Sequence, residues 1–197
     1  MLMPLGYLGQ GTGAVAVGTA FELISTTILG ADTASVSFSS IVSTYQHLQL
    51  RIVARNADNF QAGVQVIFNN DTTYGNYQYR FFRTEYGGGS ITNSAGSGSD
   101  AAIMLKNALA DSGETNYFSP LIIDIADYAN TNKKRTARAF AGYVSNQVSG
   151  YRAVNFNSGT WNATTALTTL TVKPENIDGS PMWKTGSRFS LYGIKGA

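Results

Sequence analysis

Residues 47–55 read HLQLRIVAR: Leu48, Leu50, Ile52 and Ala54 fall on one side of an extended chain, and His47, Gln49, Arg51 and Arg55 on the other. Side chains of a strand point alternately to its two faces, so this run describes a strand with one buried and one wet face. The same period recurs along the chain. SVSFSSI sets Val36 and Phe38 among serines, and LIIDI keeps Leu121, Ile123 and Ile125 in phase. TLTV opposes Leu170 and Val172 to Thr169 and Thr171, while RFSLY separates Phe189 and Leu191 from Arg188, Ser190 and Tyr192. With FELISTTIL, VQVIF, YQYRFF, TARAFAGYV and YRAVNF, about ten strand candidates follow one another at short spacing. That density predicts an all-β chain, an antiparallel β-sandwich of jelly-roll-like form, rather than alternating strands and helices. AAIMLKNAL fits either a strand or a short helix.

Turn signals separate these runs. NNDTTYGN is rich in residues that tolerate positive φ, NTNKKR is a polar turn, and NSGTWNA reads as a loop. EYGGGSITNSAGSGSD has too many glycines and serines to pack and reads as an exposed loop or a hairpin extension. PENIDGSPMWKTG is a Pro- and Gly-rich connection to the last strand. Residues 1–19 hold a few apolar residues, Leu2, Leu5, Tyr7, Leu8, Val15 and Val17, among glycines that oppose a helix. We read them as an extended segment that docks on a partner through Leu5, Tyr7 and Leu8, followed by one sandwich domain over 20–197.

At 197 residues the chain is long enough for a sizeable core without staples, and it has none: Cys is 0. Charged residues make up 13% of the chain, with 14 Lys and Arg against 12 Asp and Glu. So thin a charge argues against electrostatic capture of nucleic acid. No cation precedes the first apolar residues, glycines break every early apolar run, and no stretch approaches a membrane span. The expectation is therefore a chain made in a cytoplasm, without a signal peptide and without membrane insertion.

Catalytic constellations are sparse. His47 is the one histidine and lies on the wet side of its strand, where a surface role is expected. Asp124 and Asp127 are the most tempting close pair of carboxylates, but an i, i+3 pair on a strand faces opposite sides, so a glycoside hydrolase built on them is not expected. GQGTGA at residues 9–14 lacks the strand before it and the GK[ST] after it that a phosphate loop needs. Lys133, Lys134 and Arg135, with Arg138 nearby, read as a solvated hairpin tip. Asn70-Asp71-Thr72 and Asn162-Ala163-Thr164 match the glycosylation pattern and read as turns. Tyrosines are the one surplus: Tyr74, Tyr77, Tyr79 and Tyr86 surround two turns, and Tyr74 and Tyr86 are the candidates for exposed contact loops. No enzyme activity, cofactor or metal is expected.

Five segments taken in order, SVSFSSIVSTYQHLQLRIVAR, VIFNNDTTYGNYQYRF, LIIDIADYANTNKKRTARAF, GTWNATTALTTLTV and GSRFSLYGIKG, resemble a β-sandwich domain of tailed-bacteriophage structural proteins. The likeness covers roughly Phe21 to Lys195 and is most specific over Asn69 to Tyr77, Asp127 to Lys134 and Gly186 to Ile194. It implies a virion protein of tail fibre, tail tip or head surface, non-enzymatic and a homo-oligomer, expected as a trimer. Its partners would be other virion proteins and, on the tail, a host surface glycan or protein. Trp161, Leu170, Phe189, Leu191 and Tyr192 would belong to the scaffold. The length favours a compact knob or a head decoration protein over a long fibre. The rival reading from another class is a lectin-like carbohydrate-binding module or a glycan hydrolase on a jelly-roll fold; aromatic faces and amides bind sugars without charge, whereas a hydrolase lacks a paired acid constellation.

Overall fold

The structure, a computed structural model, describes residues 20–57, 62–87, 90–109, 116–144, 152–175 and 181–196. The segment 1–19, with Leu5, Tyr7 and Leu8, lies outside the described residues. No described residue is helical. In chain order the strands are β1 (Phe21–Ile28), β2 (Val36–Phe38), β3 (His47–Ala54), β4 (Ala62–Phe68), β5 (Tyr77–Gly87) and β6 (Ser90–Asp100). They continue as β7 (Ile103–Leu109), β8 (Ser119–Ala126), β9 (Arg135–Val144), β10 (Arg152–Trp161), β11 (Leu170–Pro174) and β12 (Arg188–Ile194).

The strands form two antiparallel sheets, one of eight in the order β1-β12-β3-β8-β9-β10-β5-β6 and one of four in the order β2-β11-β4-β7. With β5, β6, β9 and β10 set aside, β1 pairs with β12, β2 with β11, β3 with β8 and β4 with β7. That nesting is one long hairpin wrapped over on itself, which is a jelly roll. Two hairpin-forming insertions, β5–β6 after β4 and β9–β10 after β8, then extend one of its sheets from four strands to eight. The all-β antiparallel sandwich expected from the alternating runs is the fold found, and AAIMLKNAL resolves as a strand.

The core lies between the sheets. Leu48, Leu50, Ile52 and Ala54 of β3 face Val64, Val66 and Phe68 of β4, all of them buried. Burying each large aliphatic is worth about 1.5–3 kcal/mol. Leu121, Ile123, Ile125, Leu170, Val172, Phe189 and Leu191 complete the layer, each on the face its alternation predicts. Gly193 of β12 has a packing reason: a Cβ there would stand 2.3 Å from Cγ of Tyr45, whose ring lies on the strand.

One end of the sandwich gathers the loops 39–46, 69–76, 127–134 and 162–169, and its polar side chains are tied together. Asn69 and Asn70 adopt φ of 49° and 57°, and Gly75 a φ of 88°, as the composition of NNDTTYGN predicts. Asp71 accepts hydrogen bonds from Trp161 Nε1 (2.7 Å), Asn76 Nδ2 (2.8 Å) and the Thr73 backbone N–H (2.9 Å). Tyr77 Oη donates to the Asp71 carbonyl at 2.9 Å, and burial pushes this phenol up to about 12. Asn69 Oδ1 accepts from the backbone of Thr168 and Thr169.

Several expectations need correction. Arg135 is not part of a solvated tip: it is fully buried, and its guanidinium donates to the carbonyls of Lys133, Thr164 and Thr165 at 2.7–2.9 Å. Burial lowers its pKa, with Asp127 acting against that shift. The clamp fits Arg because a planar fork reaches several carbonyls from two loops at once. NSGTW is not a loop but the end of β10, paired on both sides with β5 and β9. Of the two readings of the Gly/Ser-rich stretch, exposed loop or hairpin extension, the second holds, because residues 90–100 form a strand against β5. Trp183, inside the presumed connection PENIDGSPMWKTG, is buried against Phe189 with ring centroids 4.9 Å apart.

Candidate functional site

An antiparallel sheet that covers a core on one side normally turns a polar face to water on the other. The eight-stranded sheet does not. Its register places Arg51, Ile122, Phe140, Phe156 and Phe82 side by side across β3, β8, β9, β10 and β5, on the face away from the small sheet. Ile122 is 41% exposed, Phe140 47%, Phe156 60% and Phe82 55%. The rings of Phe140 and Phe156 touch, with centroids 4.9 Å apart and planes tilted by 53°. Val53, Pro120 and Val154 form the next row, and Val53 and Val154 are also exposed. Of the thirteen exposed large hydrophobics among the described residues, ten lie on this face.

The cause is a reversed alternation in β9 and β10. The inner side of β9 carries Ala137, Ala139 and Ala141, and that of β10 carries Ala153, Asn155, Asn157 and Gly159. The small edge strand β7 lies on this inner side and leaves little room. A Cβ on Gly159 would stand 2.4 Å from Cγ2 of Ile103, and Asn157 Oδ1 accepts the Lys106 backbone N–H at 3.1 Å. Small and amide residues fill the close contact, so Phe140, Val154 and Phe156 point outward.

Arginines rim the row. On its other side run Gln49, Asp124, Arg138, Ser158 and Arg80. Gln49 Nε2 and Arg138 Nε donate to the two oxygens of Asp124 at 2.8 and 3.0 Å, and Arg51 Nε donates to Gln49 Oε1 at 2.7 Å. The Arg51 guanidinium lies over the rings of Tyr192 (4.7 Å) and Phe21 (5.4 Å), and that of Arg152 over Tyr86 (5.7 Å). Exposed pairs of this kind add little stability, about 0–1 kcal/mol each, but they fix where the charges stand. At the end near Tyr86 the face opens into a groove of about 500 Å³ whose lining includes Tyr86, Tyr117, Phe118, Pro120, Arg152 and Val154.

The residues singled out in the sequence fall in different places. Tyr86 lies on the outer face at the groove. Tyr74 is 77% exposed in the turn before β5, at the opposite end of the sandwich. About nine extended residues separate them along β5, roughly 30 Å, so the two do not share one contact surface. Tyr77 is not a contact residue: it is buried, between the turn and Trp161. His47 Nδ1 accepts the Asp127 backbone N–H at 3.0 Å, a surface role as expected. Asp124 sits in the arginine row, whereas Asp127, itself at a φ of 46°, pairs with Lys133 at 2.6 Å and is held below its ordinary pKa by it. The structure thus does not join the two carboxylates across a cleft. Among the described residues no group of three or more His, Asp and Glu is placed to hold a metal ion. What the sequence reading missed is the aromatic row itself; AFAGY beside AVNFN, with small or amide residues alternating with Phe, was the available signal.

Comparison with protein-family models, with curated proteins and with solved structures returns no match to this chain.

Proposed function

We propose that the protein is a non-enzymatic structural component of a bacteriophage virion, a surface-exposed tail or fibre component that works by docking. The resemblance of its ordered motifs supplies the virion, and the observation that carries the docking role is the aromatic row on the outer face of the large sheet. An apolar patch of this kind, rimmed by polar groups, marks an interaction site in a water-exposed protein. The motifs that carry the resemblance, Asn69–Tyr77 and Asp127–Lys134, build the tied end of the sandwich and so belong to the scaffold. Residues 1–19, with Leu5, Tyr7 and Leu8, are proposed as a second docking element.

Labelling the chain on purified particles tests this reading. Signal at the tail supports it, signal spread over the capsid replaces it with head decoration, and absence from particles refutes both. Deleting residues 1–18 should leave a folded domain that no longer enters particles, and normal incorporation would refute the anchor. The groove beside Tyr86, with Tyr117, Phe118 and Arg152, favours a lectin-like second reading, which selective binding of the full chain on a glycan array would support.

A further inference from the structure

We propose that in the free chain residues 1–19 lie across the outer face of their own large sheet and cover its aromatic row, so that the two docking elements hold each other until a virion partner separates them. The inference rests on the docking roles proposed above and names what covers the row before assembly.

A continuous path joins the segment to the row. Residue 20 is fixed at the sheet edge, where its carbonyl accepts the Lys195 backbone N–H at 3.1 Å. Phe21 stands opposite Ile194 and turns to the outer face, under the guanidinium of Arg51. A groove of about 460 Å³ starts there and runs from Phe21 and Ile194 past His47 to Asp124 and Arg138. A second groove, of about 430 Å³, shares Gln49, Asp124 and Arg138 with the first and ends at Phe140 and Phe156. The two together lead from the foot of the segment to the middle of the row.

Length and composition fit that path. Phe156 lies five strands from β1, in register with Ser190, whereas Phe21 is in register with Ile194, four residues away on the same strand. At about 4.8 Å per strand and 3.3 Å per residue the separation is roughly 28 Å, which about nine extended residues cover. Val15 and Val17 then fall over the grooves, and Leu8 and Leu5, 13 and 16 residues before Phe21, reach the row with slack. Residues 1–19 carry no Asp, Glu, Lys, Arg or His, so they lie beside the arginine rim without burying a charge of their own. Their glycines let the backbone come close to the sheet, with its carbonyls in reach of the Arg138 guanidinium. Tethering selects this occupant over a separate chain: a segment joined at Phe21 meets the row at an effective concentration of about millimolar before any partner arrives. A docked state favoured only a few-fold is enough, and a partner can still displace it.

Photo-crosslinking of the full chain tests the cover. Because Cys is 0, Gln10→Cys accepts a single benzophenone label and leaves Leu5, Tyr7 and Leu8 intact. Irradiation at micromolar concentration should attach the label, within its own chain, to the tryptic peptides that begin at Ala139 and Ala153 and carry Phe140 and Phe156. The yield should not change on tenfold dilution. Phe156→Asp should at least halve it and leave the far-ultraviolet dichroism unchanged, and Phe140→Asp is the second variant should the first lose its spectrum. Attachment elsewhere on the chain, or none, overturns the proposal. Chains joined to one another in a yield that falls on dilution put the segment on a second copy and overturn it as well. On purified particles the label should move to another virion protein, and attachment that stays on its own face there overturns the displacement. Own-face attachment in a chain that never enters particles keeps the cover and removes the virion role, whereas entry into particles without such attachment in the free chain removes the cover and keeps that role.

Discussion

The two sides of β10 differ in the opposite sense from most half-buried strands. Its inner residues Ala153, Asn155, Asn157 and Gly159 are buried, and its outer residues Val154 and Phe156 face solvent. On β3, three strands away in the same sheet, the ordinary arrangement holds, with Leu48, Leu50 and Ile52 inside and Gln49 and Arg51 outside. The contrast separates two uses of one sheet. Where the small sheet lies fully beneath it, large apolar side chains hold the fold. Where only the edge strand β7 lies beneath it, contact is too close for them, and they are left for something outside.

This comparison breaks if large substitutions inside are harmless. Trp183→Ala and Leu50→Ala should each lower unfolding free energy by about 3–5 and 2–5 kcal/mol in urea titrations, since both side chains are buried in the core layer. Next in size is the close contact under β10. Gly159→Ala should cost about 1–3 kcal/mol, because its Cβ would collide with Cγ2 and Cγ1 of Ile103, and that extra cost should shrink in an Ile103→Ala background, which removes both atoms. An uncosted Gly159→Ala would mean that β7 does not press on β10.

The tied end sharpens the comparison by acid titration. Burial pushes the Asp71 carboxyl up, but hydrogen bonds from Trp161, Thr73 and Asn76 outweigh it and hold the pKa at about 2, below its ordinary 3.8. A group depressed on folding stabilises the native state at pH above its unfolded pKa and loses that contribution as pH falls through the folded one. Stability should therefore drop between about pH 4 and pH 2, and Asp71→Asn should flatten that part of the profile. Thermal melts across this range check it; an unchanged slope would show that the Asp71 network adds nothing.

The sequence was legible where alternation, turn chemistry and burial agreed. The runs around Leu50, Ile123 and Phe189 lie in the core on the side their period predicts, and the Asn-rich turn before Tyr77 has the positive φ its residues tolerate. Legibility failed where tertiary contact decides. Alternation says that the sides of β10 differ but not which one is inside; only the approach of Ile103 to Gly159 settles that. Arg135 looked like a solvated cation because two of the three carbonyls that receive it, those of Thr164 and Thr165, come from 29 and 30 positions further on. Trp183 sat among Pro and Gly in a stretch whose composition reads as a linker, although its ring fills the core beside Phe189.

The central claim is that the outer aromatic row serves partners and is dispensable for the fold. Urea unfolding of Phe156→Ser beside Leu50→Ala, at a concentration where both are monomeric, tests it most directly. The account predicts a loss of about 1 kcal/mol or less for Phe156→Ser, the size of one exposed cross-strand aromatic contact. A loss equal to that of Leu50→Ala would contradict it and return Phe156 to the core.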